Sequence, residues 1–394
     1  MRALIEIDQA ISVVQQEMRS RASHPGAIVM LDEAVGRVLA RDVISPIDSP
    51  PFDKSTRDGF ALSAGGSGTE WIIRDTVAAG GAPGRALAPG ECSRIMTGAP
   101  LPSGAERVAS KECMSERNGR ARLLKVEPLD NIVRRGANIA RGQVVLHPKV
   151  LAAQDIGILA ASGFAEVTVA VPLSIGIVCT GPELQPPGGP LGAGQIYDSN
   201  GPQLAAQLAA IQCPARQRGI VADEPGLLTE ALASALAEHE LVLVSGGVSE
   251  GDFDYVPGCL ESLGATILMH GVAVKPGKPT LFARRGSSWI FGLPGNPVST
   301  FVIFELLVKP FLYGCMGIDW EPPCFHGTLG EVVRRKDAGR VEYLPVRMQG
   351  GSILPIAFHG SAHLNALGDA DGIIRIERGV HELARGTEID VRPL

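Results

Sequence analysis

The sequence predicts a multidomain α/β plus β protein built around a three-layer α/β domain with a parallel sheet. Three observations lead there. Short apolar runs at 173–179, 241–244 and 289–291 have the length and the β-branched or aromatic content of strands buried on both faces. Stretches with helical spacing alternate with them, the pattern of strand–helix–strand crossovers that lay helices on both faces of one sheet. On either side of this block, 51–138 and 327–394 consist of short β-type runs punctuated by Gly and Pro, as in small all-β domains.

From the N-terminus, Leu4, Ile7, Ile11 and Val14 recur at helical spacing, and Asp8 is placed to cap that helix. A second helix fits 32–40, with Val35, Val38 and Leu39 apolar, before Ser49-Pro50-Pro51 breaks the pattern. Both helices serve packing or subunit contact. Trp71-Ile72-Ile73 and Arg107-Val108-Ala109 read as strands, separated by turns such as Ala79-Gly80-Gly81-Ala82-Pro83-Gly84. The segment 144–171 carries a helix with Ile156, Ile158 and Leu159, then the β-type run Val167-Thr168-Val169. The strand at 173–179 empties into Thr180-Gly181-Pro182-Glu183-Leu184 and a Pro/Gly-rich loop. Helices fit 202–211, just after Asp198-Ser199-Asn200, and 225–237.

The strand at 241–244 stops at Ser245-Gly246-Gly247-Val248-Ser249, and the strand at 289–291 stops at Gly292-Leu293-Pro294-Gly295-Asn296-Pro297. A helix then runs from Val298 with Pro297 at its first position and Asn296 as N-cap, and ends near Lys309-Pro310. In the last part, 339–343 and 372–376 alternate β-type residues with Gly turns. The domains expected are a discontinuous linker or dimerisation domain (1–48 and 140–171), a small β domain (49–139), the α/β domain (172–318) and a C-terminal β domain (319–394).

Composition narrows the function. With 45% hydrophobic and 20% charged residues the chain has ample material for a core. A net charge of −6, with no basic stripe interleaved with aromatics, argues against a nucleic-acid partner. Seven scattered cysteines, an odd number with no Cys-x-x-Cys and no His/Cys cluster, suit a reduced, cytoplasmic setting rather than a disulfide framework. The first 19 residues carry early charges and no uninterrupted apolar core, so no signal peptide is expected. No stretch of 18 uncharged apolar residues occurs, so no membrane span is expected.

The chemistry concentrates at the two glycine corners. A buried strand that runs out into such a turn leaves backbone N–H groups aimed at an anion, and the positive end of the helix after Pro297 adds to them. One corner of this kind only turns the chain. Two corners, with Lys275-Pro276-Gly277-Lys278-Pro279 between them in sequence, point to an anion site. In a parallel sheet both corners, and 180–183, fall at the carboxyl edge of the strands where ligands bind. The acids Glu183, Asp223, Asp252 and Asp254 fall near the same edge, a set that suits Mg²⁺ with phosphates. No Walker A motif, kinase loop, Ser-His-acid or Cys-His arrangement is present, and the eight histidines are isolated.

Several blocks together resemble a known family. Pro51-Phe52-Asp53-x-Ser55-x-x-Asp58-Gly59-Phe60-Ala61, Ile95-Met96-Thr97-Gly98-Ala99-Pro100-Leu101-Pro102 and Ile196-Tyr197-Asp198-Ser199-Asn200 precede the two corners and the lysine pair. In this order the six blocks resemble the molybdopterin molybdenumtransferases, the MoeA and gephyrin E-domain family, over nearly the whole chain. The resemblance implies an L-shaped homodimer with a segmented linker, a β domain, an adenylyltransferase-like molybdopterin-binding α/β domain and a C-terminal β domain. It implies a reaction that consumes adenylylated molybdopterin and molybdate, with Mg²⁺, and releases AMP and molybdenum cofactor. It further implies a site shared between subunits.

By the same resemblance, Asp58 and Thr97 reach the site from the partner, and Glu183, Asp223 and Asp254 are catalytic acids, with Asp223 and Asp254 holding Mg²⁺. Ser245, Gly246, Gly247 and Ser249 cradle the pterin phosphate. Lys275 and Lys278 bind molybdate, with Pro294, Gly295, Asn296, Pro297, Ser299, Arg340 of the Gly-Arg-x-Glu-Tyr block and Ser361 completing the pocket. A molybdopterin adenylyltransferase and molybdoenzyme maturation factors are the partners implied. Lys54 and Arg57 stand where the family usually has Asn and Met, Asn138 where an acid is common, and Pro182 where an acid precedes Glu183. The alternative readings are a molybdopterin adenylyltransferase that uses ATP and a non-catalytic scaffold paralogue.

Overall fold

The computed structural model describes residues 4–21, 25–64, 69–249, 251, 254–357 and 360–394, which form two compact bodies. Asp252 lies outside the described residues. One body holds 4–21, 25–27, 36–40 and everything described from Thr168 onward; the other holds 28–35 and the described residues of 41–167.

The first body is organised by a six-stranded sheet. Its order is Ala215–Val221, Ile175–Thr180, Leu241–Ser245, Ser288–Leu293, Leu281–Arg285, Thr266–His270. The first four strands are parallel, as expected, but Leu281–Arg285 runs against them and pairs antiparallel with both of its neighbours, so the sheet is mixed. The reason is local: Gly286, at φ +59°, and Ser287 close a two-residue hairpin between Leu281–Arg285 and Ser288–Leu293, too short for a parallel crossover.

Alternate residues of each strand serve opposite faces. Val242, Val244, Ala283 and Ile290 pack with Leu228, Leu232 and Leu236 of the helix Pro225–Glu238 and Leu260 of Val256–Ser262. On the other face Phe282 and Phe291 stack at 4.4 Å, and Phe311 meets both edge-on.

Phe311 belongs to a helical run longer than the sequence suggests. Pro297–Ile303 passes into a π-helical segment, Phe304–Val308, and on into Lys309–Cys315, so Lys309-Pro310 does not end it. The wider π turn shifts the carbonyl that the Pro310 ring would otherwise strike. By length and composition the run could cross a membrane, yet most of it is buried within this body, and its one acid, Glu305, is bonded to Gln207 and Lys309.

The helix Ile7–Arg19 packs beside the end of this run, where a Cβ on Gly314 would stand 2.0 Å from Met18 Sδ. Its N-cap is Glu6, without a side-chain cap, and Asp8 pairs instead with Arg375 at 2.8 Å. The helix expected over 32–40 is absent: only the turn Leu31–Glu33 is helical, and Gly36, at φ +79°, breaks the pattern.

The C-terminal part closes on itself. Val341–Gln349, Ser352–Pro355, Phe325–Leu329, Glu388–Pro393 and Gly372–Ile376 pair in a ring around Leu329, Val346, Ile353, Ile374 and Val391. The short strand Val274–Lys275 joins this barrel in parallel beside Val341–Gln349.

In the second body a six-stranded sheet carries Gly59–Ser63 second from one edge, between Ala105–Ser110 and Glu91–Ile95, buried along its whole length. Its alternating side chains feed two small cores, Phe60, Leu62 and Trp71 on one side and Ala61, Ile95 and Val108 on the other. Gly59 is required because a Cβ there would lie 1.9 Å from the Ala109 carbonyl oxygen.

Candidate functional site

Three parallel strands deliver their carboxyl ends to one edge, where Cys179 pairs with Ser245 and Ser245 with Leu293. The two glycine corners therefore start side by side. Gly246 N–H donates to the Leu293 carbonyl at 3.2 Å, and a Cβ on Gly295 would come within 3.8 Å of Gly246 Cα. Gly246 sits at φ +96°, and a Cβ there would lie 2.1 Å from the Thr180 carbonyl oxygen, so only glycine lets the corner pass the end of the neighbouring strand.

Asn200 locks the corners together. Its buried amide donates to Ser245 Oγ at 2.8 Å and to the Gly295 carbonyl at 2.7 Å. Asn296 occupies the N-cap with extended backbone but makes no side-chain cap bond; the Thr300 hydroxyl ties this turn instead, donating to the carbonyls of Pro294 and Asn296.

The corners open on a cavity of about 850 Å³. Glu183, Asp223, Asp254, Ser245, Gly246, Gly247, Ser249, Lys275, Lys278, Pro294, Gly295, Asn296, Pro297, Ser299, Arg340 and Ser361 all line it. The fold thus brings together the residues that the sequence nominated across 178 positions, from Glu183 just past a sheet strand to Ser361 beyond the barrel strand Ser352–Pro355. Asp58 and Thr97 lie in the second body and pair with each other: Asp58 Oδ1 accepts from Thr97 N–H at 2.8 Å and from its hydroxyl at 2.9 Å. These bonds hold the Asp58 carboxyl below its ordinary pKa, with Lys111 assisting.

The cavity contains both signs of charge. Burial pushes the Asp223 carboxyl up, and Asp254 and Glu183 push it further, against a hydrogen bond from the Thr180 hydroxyl at 3.3 Å. Three acids thus share this cleft, although their ligand atoms do not gather within 4.8 Å of one another as a ready cation cage. The cations come partly from the barrel. Strand pairing sets Lys275 opposite Glu342, and its Nζ lies 2.8 Å from Glu342 Oε1. Arg335 holds the other oxygen at 2.7 Å and donates to the Arg340 carbonyl, while Arg340 reaches the Val274 carbonyl at 3.3 Å. Lys278 makes no ion pair among the described residues.

Sequence reasoning left out Thr180, Asn200 and Glu342 as site residues. Asn200 and Glu342 stand inside blocks the sequence singled out, but their contacts run to residues 95 and 67 positions away and depend on the fold.

Three family descriptions cover the chain in order: the MoeA N-terminal region (domain I and II) at residues 5–163, a probable molybdopterin binding domain at 176–314, and the MoeA C-terminal region (domain IV) at 332–394. The molybdopterin molybdenumtransferase of Staphylococcus epidermidis is 32% identical, over 99% of this chain and 96% of its own length. The chain belongs to the MoeA family.

The MoeA relationship extends to the molybdopterin molybdenumtransferase of Haemophilus influenzae, 32% identical over 92% of each chain. Solved MoeA structures from Pyrococcus horikoshii match the whole architecture. One is 30% identical with a TM-score of 0.81 over 99% of both chains, and another is 27% identical with a TM-score of 0.86 over both full lengths. The α/β body with its C-terminal β domain is therefore the MoeA arrangement. Within this member, Pro182 lines the cavity beside Glu183, and Asn138 donates its backbone N–H to the Ser49 carbonyl in the second body.

Proposed function

We propose that this chain is a molybdopterin molybdenumtransferase that takes adenylylated molybdopterin and molybdate and releases AMP and molybdenum cofactor. The observation that carries the reading is that one cavity joins two opposite chemistries. Lys275, Lys278 and Arg340, with the N–H groups and hydroxyls of the two corners, suit a tetrahedral dianion and a phosphate. Asp223, Asp254 and Glu183 suit a divalent cation at a phosphoanhydride.

In this reading Ser245, Gly246, Gly247 and Ser249 seat the pterin phosphate by backbone and hydroxyl donors. Lys275 and Lys278 hold molybdate with Ser299, Arg340 and Ser361. Mg²⁺, held by Asp223 and Asp254, would neutralise phosphate charge as the anhydride breaks. Asp58 and Thr97 act in the cavity of a second copy, which makes the working unit a homodimer. Exposed apolar side chains on the second body, among them Ile28, Met30 and Ile44, support a subunit contact. Seven cysteines without a disulfide suit a reducing cytoplasm.

The test is direct. Purified protein given adenylylated molybdopterin, Mg²⁺ and molybdate releases AMP, and Lys275→Ala loses the dependence on molybdate. AMP release indifferent to molybdate, with Lys275→Ala equal to the parent, rejects the proposal.

A further inference from the structure

We propose that Cys324, His326 and Asp390 form a binding site for one zinc-like divalent cation on the surface of the C-terminal barrel. None of the three lines the cavity, and the inference rests on neither the cavity nor the family.

Cys324-Phe325-His326 is a Cys/His pair already present in the sequence, and the fold brings a third ligand to it. His326 lies on the strand Phe325–Leu329, directly opposite Asp390 on Glu388–Pro393, and Cys324 stands two positions earlier in the chain. Alternate residues of extended chain share a face, so thiol and imidazole come to the same side, and the antiparallel register adds the carboxylate. The three ligand atoms lie within 4.8 Å of one another. A point therefore exists within about 2.8 Å of all three, against the roughly 2.0–2.3 Å that zinc requires, a gap that side-chain rotation closes.

The donor set selects the ion. One sulfur, one nitrogen and one oxygen suit a borderline cation such as Zn²⁺ or Co²⁺ rather than Mg²⁺, and three protein ligands leave a fourth position open. His326 and Asp390 already share a hydrogen bond between Nδ1 and Oδ1. Binding displaces that proton and the thiol proton to solvent. The thiol is available: Cys324 is exposed, whereas Cys92, Cys179, Cys213, Cys259 and Cys315 are buried and Cys113 is half-buried. A bound ion would pin the last strand of the chain to its neighbour in the barrel.

The test uses the full, metal-free protein titrated with Co²⁺ alone. Expected is a thiolate-to-cobalt charge-transfer band that saturates at one ion per chain, is absent from Cys324→Ala and is weakened in His326→Ala and Asp390→Asn. Zn²⁺ then removes the band and shields Cys324 from a thiol reagent, a chelator reverses the shielding, and Mg²⁺ does neither. All three side chains are exposed, so the variants keep the parent's metal-free thermal transition. No band, a band that survives in Cys324→Ala, or displacement by Mg²⁺ overturns the proposal.

Discussion

Lys275 and Arg335 grip the two oxygens of one carboxylate: Glu342 Oε1 is 2.8 Å from Lys275 Nζ and Oε2 is 2.7 Å from Arg335 Nε. Glu342 and Arg335 are almost fully buried, whereas the Lys275 side chain is 40% exposed. The partners should therefore separate in their effects. Glu342→Gln leaves a buried guanidinium without its counter-charge and costs about 3 kcal/mol of stability. Lys275→Ala keeps the Glu342–Arg335 pair and costs under about 1 kcal/mol, yet removes molybdate dependence. Urea unfolding beside AMP release measures both, and equal stability losses would show that the pair is not organised this way.

Two glycines give a matched comparison. At Gly246 a Cβ meets the Thr180 carbonyl oxygen in a left-handed backbone, while at Gly258, inside the helix Val256–Ser262, it meets nothing within 4 Å. Gly246→Ala should destabilise by roughly 2 kcal/mol or more and abolish AMP release. Gly258→Ala should stabilise by about 0.5–1 kcal/mol and leave activity alone. Thermal melts with a turnover assay decide it.

The Asp223 carboxyl is raised by burial, by Asp254 and by Glu183. Its folded-state pKa stands above its unfolded one, so the folded state holds the proton more tightly. Its stabilising contribution is present at low pH and is lost as pH rises through the folded value, leaving a cost at neutral pH. Asp223→Asn should melt higher than the parent at neutral pH, with the gap closing as pH falls toward about 4. Mg²⁺ should raise the melting temperature of the parent and not that of the variant. A gap constant with pH would contradict the assignment.

If Asp58 serves the cavity of a second copy, two variants that each lack molybdate-dependent turnover should rescue each other. Asp58→Ala mixed with Lys275→Ala, after subunit exchange, contains dimers with one intact site and recovers molybdate-dependent AMP release that neither variant has alone. Exchange verified by mass spectrometry, without recovery, would confine each site to one chain.

Much of this was legible in the chain. The apolar runs at 173–179, 241–244 and 289–291 are strands, because a segment buried on both faces has few other options. The corner at Gly246-Gly247 is a turn for an equally local reason, since its left-handed backbone favours glycine. Local rules failed where a competing local feature decided the outcome. Gly36 overrode the apolar spacing of 32–40, the π turn absorbed Pro310, and the hairpin at Gly286 reversed one strand of the sheet.

Periodicity, turn chemistry and motif order determined which segments are strands, where the chain bends tightly and which residues carry charge toward an anion. They are properties of neighbours in sequence, and a single chain displays them. The tertiary structure alone decided that Val274–Lys275 would join the barrel and place its lysine against Glu342, that Asn200 would bind both corners, and that Asp390 would meet Cys324 and His326. Those contacts join residues 45 to 95 or about 65 positions apart, and their register is set by the packing of whole sheets, which no local window of sequence contains.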